Sequence, residues 1–246
     1  MKRQIRLNAF DMNCVGHQSP GLWAHPRDRS ETYRELEYWK HLARTLERGC
    51  FDGLFLADML GVYDVAIFTL TTVIVGRTEA EARAKHADYR NYIDHEASLA
   101  LLFGWTGIDF SKYRLSDPLR HVQTEAMRSA VESFISADPN RVWTVGELAE
   151  HVGIGGRGPV LVGSPEQVAD ELQAWAGVDG FNVANAVTPE SFEDFVDLVV
   201  PILQRRGVFK TDYRPGTLRE KLFGAGQARL LPTHPGARFR FRPADG

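Results

Sequence analysis

GLFLADMLGVYDVAIFTLTTVIVG, residues 53–76, holds two strand-like runs, Gly53 to Ala57 and Ile67 to Val75, with only residues 58–66 between them. Parallel neighbours in a sheet need a crossover of about a dozen residues or more, usually a helix, so this link is too short for an ordinary connection between such strands. Three readings are open. The runs form an antiparallel hairpin, or they lie apart with a strained link, or an ancestral segment has been lost between them.

The flanking sequence bears on the choice. Ile5 to Met12 has strand character, and the following NCVGHQSPGLWAHPRD, rich in Gly and Pro without periodicity, reads as a long loop. From Ser30 a helix is expected, with Tyr33, Leu36, Trp39, Ala43 and Leu46 on its buried face and Gly49 as its stop. With Gly53 to Ala57 next, this is a βαβ unit. After Val75, Thr78-Glu79-Ala80-Glu81 is a capping box that opens a long helix toward Phe103.

The rhythm returns downstream. GPVLVGSPEQV is a strand followed by a helix with Ser164 as cap, Pro165 in the first position and Gln167 closing the box. GFNVANAVTPESFEDF repeats it with Thr188 as cap, a face of Phe192, Phe195, Val196 and Val199, and a kink at Pro201. Gly104 to Gly158 reads as a mostly helical insertion, and residues 224–246 as a loose tail after a domain of residues 1–223. A complete eight-stranded βα barrel takes about 250 residues before insertions. Five convincing strands plus an insertion are visible here. The count favours the lost segment and an α/β fold of the incomplete (β/α)8 type.

Composition narrows the function. With 29 Lys and Arg against 32 Asp and Glu, the formal charge is −3, which argues against nucleic acid or a membrane surface as the main partner. The Arg- and Phe-bearing end, ARFRFRPADG, reads as solvated tail. Two cysteines, Cys14 and Cys50, make no disulfide scaffold. The first residues lack the apolar core of a signal peptide, so a cytoplasmic protein is expected. GIGGRGP, Gly153 to Pro159, lacks the Lys-Ser/Thr ending of a phosphate loop and reads as a link into the next strand. Cys14, His17 and His25 match no zinc spacing, and no metal is expected.

NAFDMNCVGHQSPGLWAHPRDRS, FDGLFLADMLGVYD, LTTVIVGRTEAEARAKHADY, GPVLVGSPEQVADELQAW and PGTLREKLFGAG together resemble the flavin-dependent monooxygenases of the bacterial-luciferase-like superfamily. The branch they are similar to includes the nitrilotriacetate and dibenzothiophene-sulfone monooxygenases. The motifs stand in family order over nearly the whole chain. The family continues after GVYD with the middle strands of its barrel, whereas this sequence passes from about Val65 to a late strand, placing the join at 65–66.

The resemblance implies a two-component enzyme that takes reduced FMN from a separate flavin reductase and transfers one atom of O2 to a small organic substrate. It matches Asp58 to the acidic residue that ends the second strand and contacts the flavin. On the residues alone, Asp58 fits a plain turn role as well. His17 and Trp23, in the loop after the first strand, are candidate substrate-pocket residues; a His in such a loop also serves as a hydrogen-bonding anchor. No catalytic residue is assigned. The family's other flavin-holding groups fall in the stretch this chain lacks, so FMN binding is expected to be weak or assisted by a partner chain. The alternative is a non-catalytic remnant acting as a binding or regulatory partner of another chain. Strand edges left bare favour pairing with a second copy or a full-length relative.

Overall fold

The computed structural model describes residues 4–12, 14–16, 18–56, 68–119, 142–175 and 178–229. The chain divides into two compact units, Met1–Phe209 and Lys210–Gly246. In the second, one short helix, Leu218–Phe223, starts at a capping box made by Thr217 and Glu220.

The first unit is built on β1 (Arg6–Asp11), α1 (Leu36–Arg48), β2 (Gly53–Leu56), β3 (Phe68–Val75), α2 (Glu79–Arg90), α3 (His95–Thr106), α4 (Val145–Val152), β4 (Val160–Gly163), α5 (Pro165–Ala174), β5 (Gly180–Ala184), α6 (Glu190–Asp194) and α7 (Val200–Arg205). The five strands form one sheet in the order β2-β1-β5-β3-β4, and every pair is parallel. Thus β2 and β3 are not neighbours: β1 and β5 lie between them, which rules out the antiparallel hairpin. From β2 through β1 to β5 the order follows the chain as a ring would, but β3 rather than β4 lies beside β5, and β4 stands outside β3 at the far edge. The incomplete α/β barrel is borne out, and α4 lies within the insertion read at Gly104 to Gly158, ahead of β4.

One face of the sheet carries the core. Leu7 and Ala9 of β1, Val73 and Val75 of β3, and Phe181 and Val183 of β5 pack with Leu42, Leu172, Phe192, Phe195, Val199 and Leu203 from the helices. Burying each large apolar side chain stabilises the fold by about 1.5–3 kcal/mol. On the opposite face lie Asn8, Phe10, Phe55, Phe68, Leu70 and Asn182. Asn8 donates to Asn182 at 3.2 Å, and the Phe10 and Phe55 rings are 5.5 Å apart.

Three local expectations need correction. The first helix begins at Leu36, because the Asp28 carboxylate accepts from the Ser30 N–H at 2.7 Å and sets Ser30–Thr32 into a separate tight turn. Its buried face is Tyr38, Leu42, Thr45 and Leu46, while Leu36 is 71% exposed. The long helix toward Phe103 is two helices, since Asp94 caps the second by accepting from the Ala97 N–H at 3.0 Å. Thr188 does not cap α6; its hydroxyl accepts from Asn185 instead, and its N–H donates to Asp28 at 2.8 Å. The caps at Ser164 and Thr144 form as full boxes. Ahead of Pro201, which has no N–H to give, the chain widens into a π turn at Phe195–Val199.

The phase of α1 is testable by urea denaturation. Leu42→Ala should cost about 2–5 kcal/mol, and Leu36→Ala should stay within about 0.5 kcal/mol. Equal losses would show that the helix buries a different face.

Candidate functional site

In barrels of parallel strands, ligands meet the carboxyl ends of the strands. Here the ends of β1 and β5 stand side by side, because Phe10 is level with Ala184. The last residue of β1, Asp11, is 6% exposed. Its carboxylate accepts from the Tyr38 hydroxyl at 2.7 Å and from the Met12 N–H at 2.8 Å. Burial pushes its pKa up to about 6, against the pull of those two donors. The Tyr38 hydroxyl is in turn raised, by burial first and then by the neighbouring Asp11 charge.

A second buried carboxylate organises the loops above. Asp28, 5% exposed, accepts from the Ser30 N–H and hydroxyl and from the Thr188 N–H. Burial raises its pKa, and the Ser30 hydroxyl and Thr188 N–H pull against that. Arg29 N–H donates to the Thr188 carbonyl at 2.7 Å, so the loop after β1 is tied to the loop after β5 from both sides of Asp28. His25, 3% exposed, fixes the same loop to α2. Its Nδ1 accepts from the Arg27 N–H at 3.2 Å, which leaves Nε2 to donate to Asp88 at 3.1 Å. Gly21 turns here with φ of 90°, and a Cβ would lie 2.3 Å from the Tyr92 carbonyl oxygen.

Of the residues singled out from sequence, Asp58 and His17 lie outside the described residues, as does the join at 65–66. Trp23 sits on the turn Leu22–Ala24 and is 49% exposed, while its neighbour Leu22 is fully buried. Cys14 lines the small cavity at the end of β1 with Asp11, Gly16, Gln18 and Asn185, and burial raises its thiol. Asp11, Tyr38 and Asp28 were not singled out from the sequence. The strand-end logic applied to Asp58 applies equally to Asp11, and Asp28-Arg29-Ser30 carries the spacing of a side-chain turn. The pairing of Tyr38 with Asp11 has no local signal, since 27 positions separate them.

FMN is what the resemblance would put here, and the described residues alone do not fit it. The cavity at the ends of β1 and β5 is about 10 Å³, room for a water, whereas ligand pockets run to about 300–1,000 Å³. Its one lining carboxylate, Asp11, already accepts from the Tyr38 hydroxyl and the Met12 N–H, and it opposes a phosphate. Larger clefts lie elsewhere. One of about 680 Å³ opens at the amino ends of β1 and β5, beside Gln4, Trp175 and Arg206. Another, of about 900 Å³, lies beside His86, Arg90 and Glu150. There Glu150 already accepts from Arg90 at 2.7 Å and from His95 at 2.9 Å. Among the described residues no cluster of three or more His, Cys, Asp and Glu could hold a metal, and no helix is long and apolar enough to cross a membrane.

Since the fold raises the pKa of Asp11 above its ordinary 3.8, the group's contribution to stability is fully present below 3.8 and is lost as pH rises through about 6. Tyr38→Phe removes a donor to the ionised form. It should raise the Asp11 pKa further and destabilise by about 1–3 kcal/mol at pH 8, with a smaller loss at pH 5. Denaturation at the two pH values checks this; an equal loss at both would mean that the hydroxyl does not act through Asp11.

No protein-family model matches the chain. The dimethyl-sulfide monooxygenase of Hyphomicrobium sulfonivorans is 27% identical over 453 aligned positions, covering 98% of this chain and 94% of that protein. A chain of 246 residues spread over 453 positions leaves nearly half of the alignment as a gap. The long-chain alkane monooxygenase of Geobacillus thermodenitrificans is 39% identical over 181 residues, 72% of this chain but only 36% of the relative. Apart from the gapped match, then, the chain spans about a third of the curated relatives it resembles. The crystal structure of DmoA from Hyphomicrobium sulfonivorans superposes with a TM-score of 0.86 at 26% identity, covering 97% of this chain and 96% of that one. With nitrilotriacetate and dibenzothiophene-sulfone monooxygenases also among them, the relatives of this chain are luciferase-like FMN-dependent monooxygenases.

Proposed function

We propose that the chain takes part in FMN-dependent oxygenation of a small organic substrate, with O2 as oxidant and reduced FMN delivered by a separate flavin reductase. The observation that carries this reading is the gapped match itself. Both ends of the dimethyl-sulfide monooxygenase have counterparts here, in order. When bound, the flavin supplies the redox chemistry. The chain's own part is to form one wall of the site, with Asp58 toward the flavin and His17 and Trp23 toward the substrate.

A second reading has its own support. The described strand ends enclose about 10 Å³, so the wall is not a pocket, and a non-catalytic binding or regulatory role beside another chain fits that geometry. A cytoplasmic location belongs to the proposal as well, as the place where a flavin reductase works.

Purified chain titrated anaerobically with FMN and reduced FMN should show weak binding that does not saturate at one equivalent; tight stoichiometric binding would refute the incomplete site. With a flavin reductase, NADH and 18O2, label should enter dimethyl sulfide or a long-chain alkane. Reductant consumed with no labelled product would sink the oxygenase reading and leave the binding role.

A further inference from the structure

Beside the amino end of β4, helices α2, α3 and α4 border a cleft of about 900 Å³, within the range of about 300–1,000 Å³ of small-molecule pockets. None of Asp11, Tyr38 and Asp28 lines it. Its walls are held by close approaches. The Gly146 N–H donates to the Leu115 carbonyl at 2.7 Å, and a Cβ at Gly146 would lie 3.0 Å from that oxygen. Ile93 packs so tightly on Gly153 that a Cβ there would be 2.4 Å from its side chain. The Trp143 ring meets the His151 ring edge-on, with centroids 5.7 Å apart. This apolar part of the wall is open, and Leu115 is 46% exposed.

The rest of the lining is polar, and its charges are unequally engaged. Glu150 accepts from Arg90 at 2.7 Å and from His95 at 2.9 Å, while Glu147 accepts from the Thr144 N–H at 2.9 Å and hydroxyl at 3.2 Å. Both carboxylates are thus supplied with donors. Arg157 and His86 differ: among the described residues neither makes a hydrogen bond or an ion pair, although a guanidinium carries five N–H donors. Burial and then the Arg90 charge lower the His86 pKa, against the pull of Glu150, so its ring is neutral at pH 7 and keeps one N–H to give. A cation entering the cleft would meet two guanidiniums and only carboxylates that already have donors. A bare inorganic anion would leave Leu115 and Trp143 uncovered.

We infer that this cleft binds a small organic carboxylate with a flat apolar body, its carboxylate taken by the Arg157 guanidinium with the His86 N–H as second donor, and its body lying against Leu115 and Trp143. The planar fork of a guanidinium matches the two oxygens of a carboxylate. The inference concerns binding at this cleft alone and does not draw on the flavin reading.

Fluorine NMR of para-fluorobenzoate added to the full chain should show saturable binding at one site. para-Fluorobenzamide, which keeps the ring without the charge, and inorganic phosphate, which has charge without the ring, should each bind about tenfold more weakly or worse. Arg157→Gln should weaken para-fluorobenzoate by about tenfold or more, with the circular dichroism kept. Arg206→Gln, in the cleft at the amino ends of β1 and β5, should leave the affinity unchanged. Should Arg157→Gln fail to fold, phenylglyoxal labelling of the unaltered chain decides: para-fluorobenzoate should slow the modification of Arg157. No saturable binding, equal binding of the amide or of phosphate, an affinity indifferent to folded Arg157→Gln, a matching loss in folded Arg206→Gln, or Arg157 labelled at the same rate with and without the acid would each overturn the inference.

Discussion

β5 lies between β1 and β3, hydrogen-bonded on both edges, and that double pairing joins the two ends of the chain into one sheet. Without it the strands would be two ribbons of two, each too small to stand alone. Gly180 opens β5 where the three strands meet most closely: a Cβ there would lie 2.3 Å from the Arg6 carbonyl oxygen and 2.8 Å from the Phe68 ring. The absence of a side chain at this position is thus a condition for the register, which sets Arg6, Gly180 and Phe68 level. The core follows from it. Phe181 and Val183 point to the helix side, where Phe192, Phe195 and Val199 meet them fully buried.

The same pairing fixes the chemistry at the other end of the strands. Bringing the ends of β1 and β5 together forces Asp11 and Asp28 into one desolvated neighbourhood, where burial makes proton loss harder for both and the Asp28 charge adds to it for Asp11. The fold offsets this with donors, Tyr38 and Met12 N–H for Asp11, Ser30 and Thr188 for Asp28. Those donors are therefore committed inward. This end of the sheet is rigidly tied and nearly full, whereas a flavin site needs donors that face an open volume.

The elements legible in the sequence were those whose signal is local. Ser164-Pro165 with Gln167 specifies a cap within four residues, and the Phe192, Phe195, Val196, Val199 stripe keeps helical spacing; both stand as read. The family resemblance, carried by contiguous motifs, was legible for the same reason. What failed was of two kinds: the Asp28–Ser30 turn ahead of α1 and the Asp94 cap of α3 are local signals outweighed by helix periodicity, and the cap expected at Thr188 depended on a partner far along the chain. Asp28 takes the Thr188 N–H from 160 residues away, so Thr188 does not cap, and the same carboxylate sets the turn that delays α1. Leu36 and Tyr38 are both plausible inward residues by periodicity; the Asp11 carboxylate, which only the folded chain brings near, selects Tyr38. Strand order had no local signal either, because the seam residues join two strands that never touch.

That seam also explains how a shortened chain keeps a core. The break falls between β2 and β3, which are not bonded to each other, and every strand pair of the sheet joins strands that both remain. The covering helices α1, α5, α6 and α7 remain too, so Leu7, Val73, Phe181 and their helix partners are as buried as in a complete domain. What the break removes is cover for the open face, where Phe55, Phe68 and Leu70 are half-buried, and for the edge strand β2, whose Leu54 is exposed on the helix side. Hydrophobic burial is additive over area, so one sealed face can hold the sheet while the other stays bare. A pocket is not additive in that way. It needs walls on every side, and a sheet of five strands, where a closed barrel has about eight, loses the enclosure at once while losing its core only in part.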